Sequence, residues 1–205
     1  MPFAKRSLFR ILAPWALAFA LVATGCADDR APTYQITHEF SNLSFSITKI
    51  FFKEEGGFRD YSGEIYFDPA HPERSRVQVT VQAASIDTRI EGRDRVLRSD
   101  DFFDTGRYPT LTFVSTTVSA KAGGLMEVTG DLTIHGVTRH ITIPVRFLGT
   151  RKTENRGDIV GFDTEFTIDR TEFGVNGSRW SGGAFILSKE VNIHLAIGAL
   201  GNGAQ

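Results

Sequence analysis

Between Arg76 and Ile86 the chain alternates without interruption: Val77, Val79, Val81 and Ala83 fall on one side, and Arg76, Gln78, Thr80, Gln82 and Ala84 on the other. A period of two sends successive side chains to opposite faces of an extended strand, so this segment has one face for an apolar interior and one for water. The pattern recurs. Leu43, Phe45 and Ile47 alternate with Ser44, Ser46 and Thr48; Met126, Val128, Leu132 and Ile134 share a register; Ile141, Ile143, Val145 and Phe147 face away from Thr138, His140, Thr142, Pro144 and Arg146. Phe58, Tyr61, Ile65 and Phe67, then Phe162, Phe166 and Ile168, mark two further segments, residues 110–118 are rich in strand-favouring threonine and valine, and Phe185 to Ile197 alternates almost to the end of the chain.

The breaks are as informative as the strands. Ile50, Phe51 and Phe52 interrupt the alternation, so residues 53–57 are expected to form a charged turn. Gly63 and Gly130 mark bends or bulges inside strands. Asp68-Pro69 and Ala122-Gly123-Gly124 read as turns, and His135-Gly136 as a tight hairpin connection that needs a residue tolerant of positive φ. Pro144 has no amide to donate and is expected at a sheet edge or a bulge. About eight long strands at hairpin spacing predict an all-β fold, an eight-stranded antiparallel barrel, because closure removes the exposed edges. A barrel of that size is either filled by its own side chains or holds one small ligand. A membrane-spanning barrel alternates too, with inverse polarity; Glu64, Asp163, Glu165 and Lys189 inside strands count against lipid contact.

One stretch departs from this plan. From Ser85 to Phe113 charges crowd together, and Thr88-x-x-Glu91 has the form of a capping box. Ile90 and Leu97, and Val96 and Phe103, are seven apart, which predicts one short helical insertion over about residues 89–104, with Ser99 capping a second turn.

Lys5, Arg6 and Arg10 precede an apolar run from Ile11 to Val22, and the small residues of Ala23-Thr24-Gly25 lead to Cys26, the single cysteine among 205 residues. The run is a secretory leader, too short for a membrane span. Placed after small residues, Cys26 resembles the lipidated cysteine of a bacterial lipobox, although a leucine is more usual where Ala23 stands; the alternative is an ordinary signal peptide. The expected organisation is a removed leader at 1–25, a tether at 26–33, a barrel domain at 34–198 and a tail at 199–205. Lipidation would hold the domain at the periplasmic face of the outer membrane; without it the domain would be soluble in the periplasm or secreted. A net charge of −1 argues against a nucleic-acid partner. One cysteine allows neither a disulfide framework nor a cysteine zinc site.

Several blocks now fall in a familiar order. Ser85-Ile86-Asp87-Thr88, Arg93-Asp94, Leu97, Asp101-Phe102-Phe103-Asp104, Tyr108-Pro109 and Phe113 resemble the first signature of the YceI family of periplasmic proteins. Gly130-Asp131-Leu132-Thr133-Ile134-His135-Gly136-Val137-Thr138 resembles the second, and Arg170 with Phe173-Gly174 the third. The resemblance covers about Tyr34 to Ile197. It implies a lipocalin-like barrel whose apolar pore holds a polyisoprenoid chain, such as a polyprenyl phosphate or a long-chain quinone, with no other cofactor. The expected pore lining is Phe45, Ile47, Phe58, Ile65, Phe67, Val79, Val81, Leu97, Phe102, Phe103, Phe113, Leu132, Ile134, Ile143, Val145, Phe162, Phe166, Ile168, Phe173, Phe185 and Leu187. The same residues at strand spacing would equally serve as ordinary core.

The polar candidates carry two accounts each. Asp87, Arg93, Asp94, Arg98, Asp101 and Arg170 are read as rim groups: structurally they tie the insertion to the barrel, with Asp94 and Arg98 at salt-bridge spacing, and functionally an arginine would hold a phosphate or a quinone oxygen. The structural account is preferred. His38, His71, His135, His140 and His194 share no ligand spacing, so no metal is expected. No serine sits in a nucleophile elbow, so no catalytic residue is assigned. The rival functions are an enzyme acting at the barrel mouth through Asp87, Arg93 or His135, and a docking module for a membrane redox or signalling partner that uses the loop around Trp180. A homodimer is left open.

Overall fold

The structure, a computed structural model, describes residues 33–177 and 187–201. Its strands are β1 (Thr33–Ile36), β2 (Asn42–Lys49), β3 (Phe52–Phe58), β4 (Tyr61–Tyr66), β5 (Arg76–Gln82), β6 (Ile86–Asp87), β7 (Thr110–Ala120), β8 (Leu125–Ile134), β9 (Val137–Arg151), β10 (Ile159–Asp169) and β11 (Leu187–Gly201). They join in the order β1-β4-β5-β7-β8-β9-β10-β11-β2-β3-β6, and β1 also pairs with β11, which closes the ring. Every pairing is antiparallel. Three strands are kinked: β1 and β2 pair with β4 and β3, which in turn pair with β5 and β6. At the kinks the Arg59 amide donates to the Ser85 carbonyl (3.2 Å) and the Gln82 amide to the Asp60 carbonyl (2.9 Å), so the backbone stays paired across them. Counted as continuous strands, the ring has eight members, as the alternation predicted.

The inward set forms the core: Tyr34, Leu43, Ile65, Phe67, Val81, Val128, Ile143 and Phe162 pack together, and Phe67 lies 4.8 Å from Phe147 and 5.0 Å from Phe162 between ring centroids. Outside, polar pairs decorate the wall, such as Thr129 with Thr142 and Asp163 with His194. Apolar inside and polar outside is the inverse of a transmembrane barrel. A bulge between Ser115 and Thr117 shifts the phase of β7, so that Leu111 and Phe113 and then Val118 all turn inward. Gly130 lies opposite this bulge; a Cβ there would stand 2.4 Å from the Val114 carbonyl oxygen.

Four local expectations are corrected. Residues 53–57 are not a turn; they belong to β3, and the turn is Ile50–Phe51. They lack an apolar pattern because Gly56 lies under Phe45 and Thr88, and Gly57 faces the Leu43 carbonyl oxygen, at distances that exclude a side chain. Gly63 sits in an unbroken β4–β5 register and not in a bulge; its role is the close approach of Gln78 and Ile36. Pro144 lies in a central strand. The β9–β10 ladder ends at Arg146 opposite Asp163, just before the proline, which has no amide to donate, and the Thr164 hydroxyl donates to the Pro144 carbonyl at 2.6 Å, satisfying that acceptor where the ladder stops. The last strand continues to Gly201, into the stretch expected to be a tail. His135 and Gly136 both take positive φ, as the tight hairpin requires.

The helix, α1 (Glu91–Arg98), is shorter than expected and its capping box does not form. Arg89 takes a positive φ and turns the chain first, which leaves Ile90 at the N-cap without a side-chain cap. The carboxylate that reaches back is that of Asp94: its Oδ1 accepts from the Thr88 amide at 2.9 Å and from the Thr88 hydroxyl. The chain after α1 delivers Phe102 to a second cluster with Ile134, Phe173 and Val175, which covers this end of the barrel.

Candidate ligand cavity

The barrel is hollow. A cavity of about 530 Å³ runs through it, within the usual range of roughly 300–1,000 Å³ for small-molecule sites. Its wall is almost wholly aliphatic and aromatic, from Phe67, Met126 and Val145 at the β7–β8 end to Leu97, Phe102 and Phe103 under α1. Of the expected lining residues, twenty stand around this cavity; Phe185 lies outside the described residues, as do Cys26 and Trp180. Leu43, Val77, Leu111, Val118, Val128, Ile141, Leu195 and Ile197 also line it. Their alternation was visible in sequence, but the kinks and the β7 bulge decide their facing.

The polar groups that reach the wall are nearly all engaged with the protein. Arg170, buried beside Asp169, donates to the carbonyls of Ser188 (2.9 Å), Val175 (2.6 Å), Asn176 (2.9 Å) and Leu187 (3.4 Å). Burial pushes its guanidinium pKa down, and the Asp169 carboxylate partly opposes this. Arg170 is therefore no rim group; it clamps the two chain segments on either side of residues 178–186.

The cavity reaches the surface between α1 and the β2–β3 hairpin, where Lys49, Glu54, Gly92, Arg93 and Val96 join the lining. Above Gly57 the edge of β3 has no partner strand among the described residues, because β6 pairs only with Gly57 and Phe58. Arg93 bridges the opening: it pairs with Glu54 on β3 and donates to the Thr88 hydroxyl (2.7 Å) and carbonyl (2.8 Å). Thr88 in turn leans on Gly56. Thirty-nine residues separate Glu54 from Arg93, and no spacing rule would have paired them. The expected Asp94–Arg98 bridge is absent, since Asp94 is spent on Thr88; Arg98 donates to the Ala84 and Ile86 carbonyls and meets Glu91 at 3.6 Å. The Asp101 carbonyl accepts from the Gly177 amide (2.9 Å), joining the two capping segments.

Asp87 faces the outer surface. Its carboxyl is held below the ordinary carboxylate range, first by the Arg89 amide at 2.6 Å and then by Arg59. Asp169 is lowered in the same way, first by the Thr171 hydroxyl. A carboxyl depressed by folding contributes stability that is complete above its unfolded pKa, about 3.9, and is lost as pH falls through its lower folded value. Urea midpoints are therefore expected to drop as pH is taken below about 4, and Asp87→Asn should flatten that drop; an identical acid slope in the variant would exclude Asp87 as a contributor.

Fold and interior together define a hollow, lipocalin-like antiparallel barrel with a lid of one helix and an adjoining loop. Residues 34–199 match the model of the YceI-like domain. A UPF0312 protein of Ectopseudomonas mendocina is 37% identical over 166 residues, 80% of this chain and 86% of that one. BcnA of Burkholderia cenocepacia superposes with a TM-score of 0.74 at 29% identity, over 80% of this chain and 99% of that one. A polyisoprenoid binding domain from Saccharophagus degradans shares the fold, with a TM-score of 0.62 at 20% identity over 82% and 98% of the two chains. The chain belongs to the YceI-like domain family.

Proposed function

We propose that this protein binds a long isoprenoid lipid, of the polyprenyl phosphate or isoprenoid quinone class, inside its barrel and carries or sequesters it without chemical change. The observation that carries this reading is the hollow interior: about 530 Å³ bounded by an apolar wall with one opening identified, between α1 and β3. The fold shared with a polyisoprenoid binding domain supports the same ligand class. The chain would lie along the cavity and its head group near Arg93. Burial at about 0.8 kcal/mol per methylene would carry a ligand of about forty carbons past the practical affinity ceiling of roughly 20 kcal/mol. Ordering of the chain and incomplete burial must therefore offset much of the gain, and no strong polar anchor is needed for tight binding.

Catalysis at the mouth through Asp87, Arg93 or His135 is the weaker reading, because Asp87 is held by the Arg89 amide and Arg59, Arg93 by Glu54 and Thr88, and His135 packs against the Tyr108 ring. The domain would act in the periplasm, held at the outer membrane by a lipid on Cys26. Organic extraction of protein purified from its bacterial host, followed by mass spectrometry, should recover an isoprenoid in near-stoichiometric amount. Protein that is empty in every preparation and takes up neither quinone nor polyprenyl phosphate would refute the assignment.

A further inference from the structure

The two most exposed large apolar side chains in the described structure, Phe51 and Phe52, sit together with Ile50 at the tip of one hairpin. Phe51 is 89% exposed, Phe52 72% and Ile50 57%. Nothing in the barrel requires them: β2 and β3 are already joined by a two-residue turn, for which polar or glycine residues are the ordinary choice. The first turn residue, Ile50, takes a φ of 58°, a region that β-branched residues occupy only under strain. The chain thus accepts backbone strain at a site where glycine would relieve it and displays three apolar side chains to water.

The tip adjoins the cavity mouth. Lys49 and Glu54, on the two strands just below it, line the opening, and so do Gly92, Arg93 and Val96 of α1 across from it. Val96 and Ile90 are themselves exposed apolar residues on the α1 side. Basic side chains surround this edge: Lys49 and Lys53 flank the tip, and Arg89 and Arg95 stand on the α1 side. Of the nearby carboxylates, Glu54 and Glu91 are paired with Arg93 and Arg98, Glu55 lies on β3, and Glu190 stands next to Lys189 in the β11 bulge beside Lys49. In a chain of net charge −1, this end presents apolar tips ringed by cations. Aromatic side chains that enter a bilayer interface, with lysine and arginine held at head-group level, are the pattern by which soluble domains rest on anionic membranes.

We propose that the β2–β3 tip, Ile50-Phe51-Phe52, inserts into the interfacial layer of an anionic phospholipid bilayer and seats the cavity mouth on the membrane. A convex tip offers no pocket to a soluble ligand, and its basic surround selects a negative surface. In purpose the docking rests on the lipid cargo proposed above, since a hydrophobic chain could then pass between bilayer and cavity without crossing water. Its test does not depend on that cargo.

Cys26 is the sole cysteine, so the full chain carrying Cys26→Ser takes a thiol dye only where a new cysteine is placed. With a polarity-sensitive dye at Phe51→Cys, vesicles of phosphatidylethanolamine and phosphatidylglycerol should shift the emission to the blue, and a quencher attached to the acyl chains should quench it. The same dye at Ala122→Cys, in the β7–β8 turn at the opposite end of the barrel, should stay in water. Adding Ile50→Gly should leave the melting temperature equal or higher while raising the lipid concentration that half-saturates the Phe51→Cys signal about tenfold or more, the effect of withdrawing one buried aliphatic side chain. The proposal is overturned if the Phe51 dye stays in water, if both dyes respond alike, or if the Phe51 shift appears without vesicles together with a dimer in sedimentation, which would make the tip a self-association surface. Extraction of an isoprenoid from a protein with a dry tip, or tip insertion by a protein with an empty cavity, would separate the two proposals.

Discussion

Arg170→Ala is expected to lower folding stability by about 3 kcal/mol, measured as a fall in the urea midpoint at constant slope. The guanidinium donates to four carbonyls drawn from Val175, Asn176, Leu187 and Ser188, and the bond to Val175 is fully buried. Each buried carbonyl left without a donor costs roughly 1–3 kcal/mol, whereas relief from burying a cation returns only part of that. Phe173, 1% exposed, and Val175 sit in the same cluster, so the lid should loosen as well. Arg170→Lys should recover less than half of the loss, because an ammonium on a flexible stem cannot span carbonyls on both segments as a planar fork does. A change below about 1 kcal/mol for the alanine variant would show that the clamp is redundant.

The second large effect concerns the cavity. Leu195 is half-buried on β11 and borders the hollow interior beside Leu43. Leu195→Trp should project an indole into empty space and leave stability within about 1 kcal/mol, since overpacking penalties arise where there is no room. A ligand chain would lose access to that volume. Excluding about four methylenes forfeits roughly 3 kcal/mol, so affinity for a quinone should fall about a hundredfold or more. Titration with a soluble short-chain quinone analogue, alongside thermal unfolding, separates the two effects. Unchanged affinity in a folded variant would place the ligand elsewhere and count against the proposed function.

Much of the fold was legible because strand periodicity is a local property. Val77, Val79 and Val81, or Ile141, Ile143 and Val145, point one way whatever the rest of the chain does, and eight such runs joined by turns leave few topologies. The errors fell where a distant contact overrode the local pattern. Residues 53–57 looked like a loop because Gly56 and Gly57 have no side chains, yet those glycines make room for Thr88, Phe45 and the Leu43 carbonyl. Thr88-x-x-Glu91 had the form of a cap, yet the left-handed turn at Arg89 handed the role to Asp94. Pro144 looked like an edge marker, and the chain instead ends one ladder of a central strand beside it.

The sequence alone determined which side chains are apolar, their two-residue period, the position of the one α-helix among the described residues and, through its ordered blocks, the family. Whether the inward faces met as a filled core or enclosed a space depended on kinks, bulges and strand tilt, which set the barrel's girth and leave no local trace. The mouth likewise exists only in three dimensions. It opens where β3 outruns β6, is bridged by Arg93 and Glu54 from opposite sides, and lies under a hairpin tip whose phenylalanines read in one dimension as a mere lapse in alternation. Periodicity reports the direction of each side chain from its own backbone; the distance between opposing walls is a property of the closed ring.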